Sequence, residues 1–195
     1  MLRTLTAMLV FASAVATLPA QSADRLTPYA TCRFPDGLEV VDVDSLAQGV
    51  TSRDLDTTAG TRKIDLEAGL RIMFAYPNTD FFANAKAEAL PAAKYPQLKG
   101  YLLDNLKYLS AGNIVNNSVQ SPMNGFEVRG IDRQKLEGGV LGIYLLFDNP
   151  AHVVTTIYFL NQEPESRKFQ SMDEYHALRD RFLASYTGCV RENQK

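Results

Sequence analysis

The order of apolar and polar positions divides the chain into a short leader and one longer domain. Arg3 makes the start positive, residues 6–16 form a run of apolar and small side chains, and further small residues surround Ala20 and Ala23. This order is typical of a secretory signal peptide. The run is shorter than the roughly twenty apolar residues that cross a bilayer. We therefore expect a signal peptide over residues 1–23 and a single globular domain over residues 24–195.

In the first half of the domain, period-two alternation predicts strands. Leu38–Val43 alternates loosely and indicates a short strand, whereas residues 44–60 are rich in Asp, Thr, Ser and Gly and indicate a surface connection. Residues 61–76 are typical of two strands broken at Ala68 and Gly69, and their spacing predicts that the two pair as a hairpin. The apolar faces of these strands are Ile64 with Leu66, and Leu70 with Ile72 and Phe74.

Residues 81–90 are open to two interpretations. Their many alanines favour a helix. However, Phe81 and the alanines at every second position alternate with Phe82 and polar residues, which is the period of a strand. A helix with this pattern would have no apolar face, and Pro91 ends the segment. We therefore predict a strand.

Two amphipathic helices are predicted from apolar stripes. The first spans Gln97–Ser110, with Gly112 available just past its end. The second follows Ser171, which can form a capping box with Glu174, and is expected to stop at Gly188. The stripes are Leu98, Tyr101, Leu102, Leu106 and Leu109 in the first helix, and Tyr175, Leu178, Phe182 and Tyr186 in the second.

Between the helices, clusters of turn-forming residues such as 121–125 and 148–150 separate four further strands. The short links imply an antiparallel meander. One of the strands is apolar on both sides, which suits an interior position. The strands are Asn113–Gln120, Phe126–Asp132, Val140–Phe147 (the apolar one) and His152–Leu160.

Together these elements predict the α+β class. The expected architecture is an antiparallel β-sheet meander, with one amphipathic helix after an N-terminal hairpin and one C-terminal helix packed on the sheet. Each helix must bury its apolar stripe, and the strands are the surface available for this.

The charge balance narrows the classes of partner. The whole chain has 20 Lys and Arg against 22 Asp and Glu, which gives a formal net charge of −2. Removal of the leader takes away only Arg3 and leaves a charge of about −3. Because both signs are scattered along the chain, we expect no nucleic-acid partner and no basic stripe for anionic lipid. No later segment is long and apolar enough for stable membrane insertion.

Two cysteines, Cys32 and Cys189, lie near the two ends of the domain. An exported protein folds in an oxidising compartment, so we predict a disulfide that joins these ends. For so long a loop the chain-entropy model gives at most about 5 kcal/mol of stabilisation. The chain has no Cys-x-x-Cys motif, which favours a structural bond over a redox site.

Catalytic and cofactor motifs are absent from the sequence. It lacks a Gly-x-Ser-x-Gly elbow, a phosphate-binding glycine loop and a His-Glu-x-x-His zinc pattern. Both histidines, His152 and His176, are expected to be solvated. We therefore predict no catalytic residue, no cofactor and no metal.

Acidic residues raise two further possibilities, a calcium site and an active site of an unfamiliar kind. The pairs Asp42-x-Asp44 and Asp54-x-Asp56 place carboxylates on one side of an extended segment, but they lack the full calcium-loop pattern and favour a polar loop edge. An enzyme of an unfamiliar class would need Asp132 or Glu127 to meet His152 in one concave site.

Aromatic residues near the first helix suggest a candidate surface for a protein partner. Tyr95 and Tyr108 lie off the leucine stripe, with Lys94 and Lys107 beside them in the sequence. Exposed tyrosines beside lysines are typical of protein-binding faces. The alternative is that these are ordinary solvated side chains.

The order of elements and two short strings resemble a known family. A hairpin ending in Phe74-Ala75-Tyr76-Pro77 and a meander that opens near Asn124-Gly125-Phe126 are similar to PsbP and the periplasmic DcrB proteins over residues 64–186. The chain has no Trp, although a Trp often follows the early Tyr-Pro in that group. The resemblance implies a binding or accessory module without a shared catalytic set.

These observations favour an exported, non-catalytic binding or accessory protein, periplasmic if the host is a Gram-negative bacterium. The first alternative is an inhibitor or immunity-type protein that neutralises an exported toxin or hydrolase. The second is the unfamiliar enzyme.

Overall fold

The computed structural model describes residues 24–45, 50–79, 81–111, 119–137, 139–161 and 169–195. Within them, short polar turns separate strands of period two, and two long helices carry the apolar stripes. The elements are α1 (Thr27–Ala30), β1 (Glu39–Ser45), β2 (Ser52–Thr57), β3 (Gly60–Asp65), β4 (Ala68–Ala75), β5 (Phe82–Ala89), a 3-10 turn (Ala92–Lys94), α2 (Tyr95–Ala111), β6 (Val119–Met123), β7 (Phe126–Asp132), β8 (Val140–Asp148), β9 (Val153–Leu160) and α3 (Met172–Asn193).

Seven of these strands form one sheet, in the order β1-β4-β5-β9-β8-β7-β6, and every neighbouring pair is antiparallel. The strands β6 to β9 are the predicted meander. With two helices packed on the sheet, the structure confirms the α+β class. The remaining strands, β2 and β3, form a separate two-stranded hairpin.

Both faces of the large sheet are covered. On one face, called here the α3 face, α3 and the N-terminal segment bury a core that includes Phe74 and Phe182. On the other, the α2 face, α2 and the β2–β3 hairpin bury a second core that includes Leu98 and Ile143. β8 contributes to both cores, so its predicted burial on both sides is confirmed.

The strand predicted for residues 81–90 is confirmed as β5. Its four alternate alanines are fully buried on the α3 face. Alanine suits these positions because its small side chain allows the elements on this face to pack close to the strand. The helix predicted for residues 97–110 is confirmed as α2. Gly112, its expected cap, lies outside the described residues.

The hairpin predicted within residues 61–76 is wrong. β3 pairs with β2, whereas β4 pairs with β1 and β5. The surface connection predicted for residues 44–60 is also wrong, because it contains the end of β1 and all of β2. β2 was missed because it has one strongly apolar residue, Leu55, among charged and hydroxyl side chains.

Two predicted boundaries shift. The strand predicted for 113–120 is described only as β6, because residues 113–118 lie outside the described residues. β6 runs into the predicted turn 121–125 and leaves Asn124 and Gly125, with φ of 48° and 81°, as the turn. These positive values explain the Asn-Gly pair, since both residues tolerate the left-handed region.

The helix predicted to stop at Gly188 runs on to Asn193. Its start is confirmed, because Ser171 Oγ accepts from the Glu174 N–H at 3.1 Å. Glu174 reaches back to the backbone as predicted, but its Oε2 accepts from the N–H of Gln170, at 2.7 Å, one residue before the N-cap. The extra turns of α3 bring the end of the chain against the N-terminal segment.

Candidate functional site

A cleft of about 420 Å³ opens where the N-terminal segment meets the last turn of α3. The N-terminal segment, the β8–β9 turn and α3 each form one wall. This volume is within the range of small-molecule sites. We call it the terminal cleft, and its lining residues are Arg25, Pro28, Asp148, Pro150, Ala151, Arg191, Asn193 and Gln194.

Asp148 is a fully buried carboxylate in the wall of the terminal cleft. Its Oδ2 accepts two short hydrogen bonds, each of 2.7 Å, from Tyr29 Oη and Gln194 Nε2. Its Oδ1 accepts from Arg191 Nη1 and Nη2, both at 3.4 Å. Burial, and then the charge of Asp148, raises the pKa of Tyr29, so this phenol stays protonated and donates.

Arg191 is fixed in the wall by contacts away from Asp148. Its Nε donates to the carbonyl oxygen of Asn124 at 3.0 Å, and its Nη1 donates to Gln194 Oε1 at 2.6 Å. The guanidinium lies 4.7 Å from the centre of the Phe126 ring, a cation–π distance. These contacts hold the plane of the guanidinium while its amino groups approach Asp148 only loosely.

Arg25 supplies the second guanidinium of the terminal cleft. Its Nη1 donates to the carbonyl oxygens of Leu90 and Ala151 at 3.3 and 3.2 Å, and its Nη2 pairs with Glu67. The Arg25 side chain is 25% exposed and that of Arg191 is 31% exposed, so both remain accessible to a solute.

The two cysteines lie beside the terminal cleft. Asn193, which lines the cleft, places its Nδ2 3.9 Å from Cys32 Sγ and 3.8 Å from Cys189 Sγ. The sulfurs are free thiols in this structure. Burial, followed by a hydrogen bond with Cys189, raises the pKa of Cys32. The same Asn193 amide donates to the Pro28 carbonyl at 3.3 Å, which ties the end of α3 to the N-terminal segment.

A second buried carboxylate, Asp132, belongs to a closed cluster under α3. Tyr144 Oη donates to its Oδ2 at 2.5 Å, Tyr175 Oη donates to its Oδ1 at 2.6 Å, and Arg179 forms an ion pair with it. Both carboxylate oxygens are therefore engaged by strong donors. Burial raises the pKa of both tyrosines, so each hydroxyl remains a donor.

The acidic residues considered for an unfamiliar enzyme do not converge. Asp132 lies on the α3 face, whereas Glu127 lies on the α2 face, where Lys99 and Arg129 pair with it. His152 packs against Tyr95, with ring centres 5.1 Å apart. Asp132 and Glu127 therefore cannot share one site, because alternate strand positions point to opposite faces, and His152 has no hydrogen bond or ion pair with either carboxylate among the described residues.

The surface predicted around Tyr95 is only partly exposed. Tyr95 is 6% exposed and donates from its Oη to Asn149 Oδ1 at 3.1 Å, so its predicted exposure is wrong. It is the first residue of α2, three positions before Leu98, and it joins the leucine stripe. Tyr108 is 46% exposed, and Lys107 is exposed beside it. Lys94 is exposed and pairs with Asp65.

The aspartates considered for a calcium site and the second histidine do not come together in one site. Asp44 pairs with Arg71 at the sheet edge, and Asp54 is exposed on the hairpin. His176 is half-buried rather than solvated, and its ring centre lies 5.3 Å from that of Tyr175. Among the described residues, no three His, Cys, Asp or Glu side chains converge as metal ligands.

Sequence reasoning missed the terminal cleft. Asp148 was interpreted as a turn residue, and Arg191 was placed beyond the expected end of α3. The available signal was the row of residues Val190, Arg191 and Gln194, which continues the helical spacing past Gly188. An arginine on the last turn is also favourable for the helix dipole.

Comparisons with known proteins found no matching family model, no similar characterised protein and no similar solved structure. Within the described part of the chain, no helix has the length and apolar character needed to cross a membrane.

Proposed function

We propose that this chain is an exported, non-catalytic binding protein that holds a small polar ligand in the terminal cleft. The observation that carries the proposal is a cleft of about 420 Å³ with two partly exposed guanidiniums, Arg25 and Arg191, beside the apolar side chains of Pro28, Pro150 and Ala151. Ligand sites of this kind combine a concave shape with a few fixed polar groups that set orientation.

The way in which charged groups are held also supports binding over catalysis. Catalytic acids and bases work when they can exchange a proton with a substrate in an accessible site. Asp132 is instead enclosed by two tyrosines and Arg179, and Glu127 is paired with two cations. Such arrangements are typical of structural ion pairs, which fix a fold.

The proposal is tested by native mass spectrometry of the mature protein after incubation with a small-molecule extract of its host. We expect the wild-type protein to retain a bound mass that Ala151→Leu loses, because a leucine at 151 fills the cleft. Ala111→Leu, at the exposed end of α2, is the matched control and should retain it. If both variants and the wild-type protein behave alike, the cleft is not the site.

We further propose that residues 1–23 are removed on export and that Cys32 and Cys189 are joined in the exported protein. Support comes from the leader pattern and from the shared contact of both sulfurs with Asn193. N-terminal sequencing of purified protein should begin after residue 23, and thiol titration without reductant should find no free thiol. An intact Met1 with two titratable thiols would overturn both parts.

The second candidate function is that of an inhibitor of an exported toxin or hydrolase. The observation in its favour is Tyr108, a 46% exposed aromatic on α2 with Lys107 beside it. The purified protein would then inhibit exported hydrolases of its host, and Tyr108→Ala would abolish the inhibition. Tyr158→Ala, at a 36% exposed tyrosine of the sheet, should leave it intact.

A further inference from the structure

We infer that β1 is a docking edge for a β-strand from another protein, a segment in which Lys or Arg alternates with apolar residues. This interaction surface is separate from the terminal cleft, because none of the described residues that line the cleft belongs to β1. The inference therefore goes beyond the proposed function and does not depend on it.

The first step concerns the main chain of β1. This strand is the last of the seven-stranded sheet and pairs with β4 on one side. Within the described part of the chain, no backbone group outside β4 bonds to the main chain of Glu39–Ser45. The outer side of β1 thus presents the amide and carbonyl groups with which a further strand pairs.

The opposite edge of the sheet, β6, is less suited to pairing. It has five residues against seven in β1, and one of them is Pro122. A proline in an edge strand is one of the devices by which proteins prevent the addition of another strand. β1 contains no proline, so its main chain keeps every amide donor.

The α3 face of β1 carries exposed valines. The register with β4 places Val40 beside Phe74, and Val43 beside Ile72, at the border of the α3-face core. These two valines are 37% and 42% exposed, and Val41, at the bulge of β1, is 59% exposed. A strand added to β1 would bury these side chains if it presents apolar residues on the same face.

The α2 face of β1 is acidic. The register places Glu39, Asp42 and Asp44 on this face. Asp44 pairs with Arg71 of β4, whereas Glu39 and Asp42 are exposed and form no ion pair with any described residue. An added strand therefore meets two unmatched carboxylates here, and Lys or Arg at its alternate positions would match them.

The same charges argue against a second copy of this chain as the occupant. Two β1 strands in one continuous antiparallel sheet would have their acidic faces on the same side, with carboxylate beside carboxylate. Like charges opposite each other destabilise a strand pair, and charged edges are a common protection against self-association. The acidic face of β1 thus opposes self-pairing and selects a basic segment.

The test is a titration of the purified protein with fluorescent peptides of the same seven-residue length as β1, measured by anisotropy. Lysine and valine alternate in the first peptide, and glutamate and valine alternate in the second. The third has the composition of the first, with its lysines grouped at one end. We expect the first to bind at least about tenfold more tightly than the others. Equal binding of the first and third would show that charge alone is responsible and would overturn the inference.

Strand pairing is tested through the backbone of the alternating lysine peptide. Two further versions carry N-methyl groups on their amides, one at the even positions and the other at the odd positions. Alternate amides of a strand point to opposite sides, so only one of these sets faces β1. We expect one version to lose binding and the other to retain it. If both bind, or if neither binds, backbone pairing is not the mode of binding and the inference fails.

Charge variants assign the binding to β1. Asp42→Lys should weaken binding of the alternating lysine peptide by about threefold to tenfold and strengthen binding of the glutamate peptide. Asp54→Lys makes the same change at an exposed aspartate of the β2–β3 hairpin and is the matched control, so it should bind both peptides like the wild-type protein. Equal effects of the two variants would reflect net charge and contradict a site on β1.

Sedimentation equilibrium without peptide tests the other occupant. We expect Val43→Lys, which places a charge on the apolar side of the edge, to leave the mass in solution unchanged. Dissociation of a dimer by this variant would assign the edge to a second copy of the chain and overturn the inference.

Discussion

At the scale of single residues, two buried aspartates on the α3 face show how the fold treats charge. Asp132 has strong donors on both oxygens, whereas Asp148 has them on one. Burial of a carboxylate is tolerated when it is paired and hydrogen-bonded. The second oxygen of Asp148 is matched by the ion pair with Arg191, at 3.4 Å, so both buried carboxylates are paired with an arginine of α3.

The cluster around Asp132 leaves no room for a side chain at Gly142. A Cβ at Gly142 would overlap Tyr175 Oη and a carboxylate oxygen of Asp132, whereas a Cβ at Gly139 would meet nothing within 4 Å. We expect Gly142→Ala to lower the free energy of unfolding by about 1–3 kcal/mol, the usual cost of overpacking. Gly139→Ala should change it by less than about 0.5 kcal/mol. Urea denaturation measures both, and equal effects would contradict the cluster geometry.

The sequence could identify which residues are apolar and buried, but not which polar residues are buried. The stripe Tyr175, Phe182 and Tyr186 was predicted and is fully buried. Asp132 and Asp148 have no comparable local signal, because their donors are up to 119 positions away along the chain. Long-range pairing of this kind depends on the topology of the whole sheet.

At the scale of elements, the β2–β3 hairpin is held to the sheet by the Arg53–Glu88 ion pair and to α2 by apolar contacts and hydrogen bonds. Arg53 donates from Nε and Nη2 to both oxygens of Glu88, at 2.7 and 2.8 Å, and Glu88 is fully buried in β5. Leu55 and Ile64 add the apolar contact with α2. The hairpin thus covers a strand that bears a buried charge.

Removal of the Arg53 guanidinium should leave the buried negative charge of Glu88 without its main ion-pair partner. We expect Arg53→Met to lower the free energy of unfolding by about 3 kcal/mol, the low end for a broken buried pair, because Lys86 Nζ stays 3.0 Å from Glu88. Arg62→Met, at an exposed arginine of the same hairpin, is the control and should cost about 1 kcal/mol or less. Arg53→Met combined with Glu88→Leu should recover most of the loss. No recovery would show that the pair does not dock the hairpin.

The ion pair between Lys99 of α2 and Glu127 of β7 predicts how the stability of the protein depends on pH. The hydrogen bond from Lys99, with the charges of Lys99 and Arg129, holds the pKa of Glu127 below its ordinary value of 4.5 against a smaller effect of burial. The unfolded chain therefore binds this proton more readily than the native one. The stabilisation is complete above the ordinary pKa and is lost as pH falls through the lowered native pKa.

Glu127→Gln should therefore lower the melting temperature at neutral pH, and the difference from wild type should shrink below about pH 4.5. Glu39→Gln is the control, because Glu39 is exposed on β1 and forms no ion pair among the described residues. Its melting temperature should follow the wild-type protein at each pH. A Glu127→Gln difference that grows on acidification would contradict the lowered pKa.

Elements with a strong hydrophobic periodicity could be predicted from the sequence, whereas the pairing between strands could be predicted only in part. The alternating alanines fixed β5 as a strand, and leucine spacing fixed α2. β2 was missed because Leu55, which packs in the α2-face core, is its single strongly apolar residue among charged and hydroxyl side chains. The wrong hairpin followed from the same omission, since β3 had no other visible neighbour.

At the scale of the whole molecule, the segment around α1 meets the last turns of α3 on the α3 face. Tyr29 near the N-terminus donates to Asp148, and Asn193 near the C-terminus donates to the Pro28 carbonyl. Cys32 and Cys189 lie at the same junction, which is also the wall of the terminal cleft. A covalent bond there would fix both the fold and the shape of the cleft.

The proposed disulfide predicts that the protein is more stable oxidised than reduced. A loop from residue 32 to residue 189 gives at most about 5 kcal/mol in the chain-entropy model, and typical disulfides give about 2–4 kcal/mol. We expect a double variant, Cys32→Ala with Cys189→Ala, to lose this amount in urea denaturation without reductant. With reductant present, wild type and variant should become nearly equal, because the bond rather than the small side chains is responsible. If reductant leaves the wild-type protein unchanged, the thiols are not joined, and the junction depends on noncovalent contacts such as those of Asp148 and Asn193.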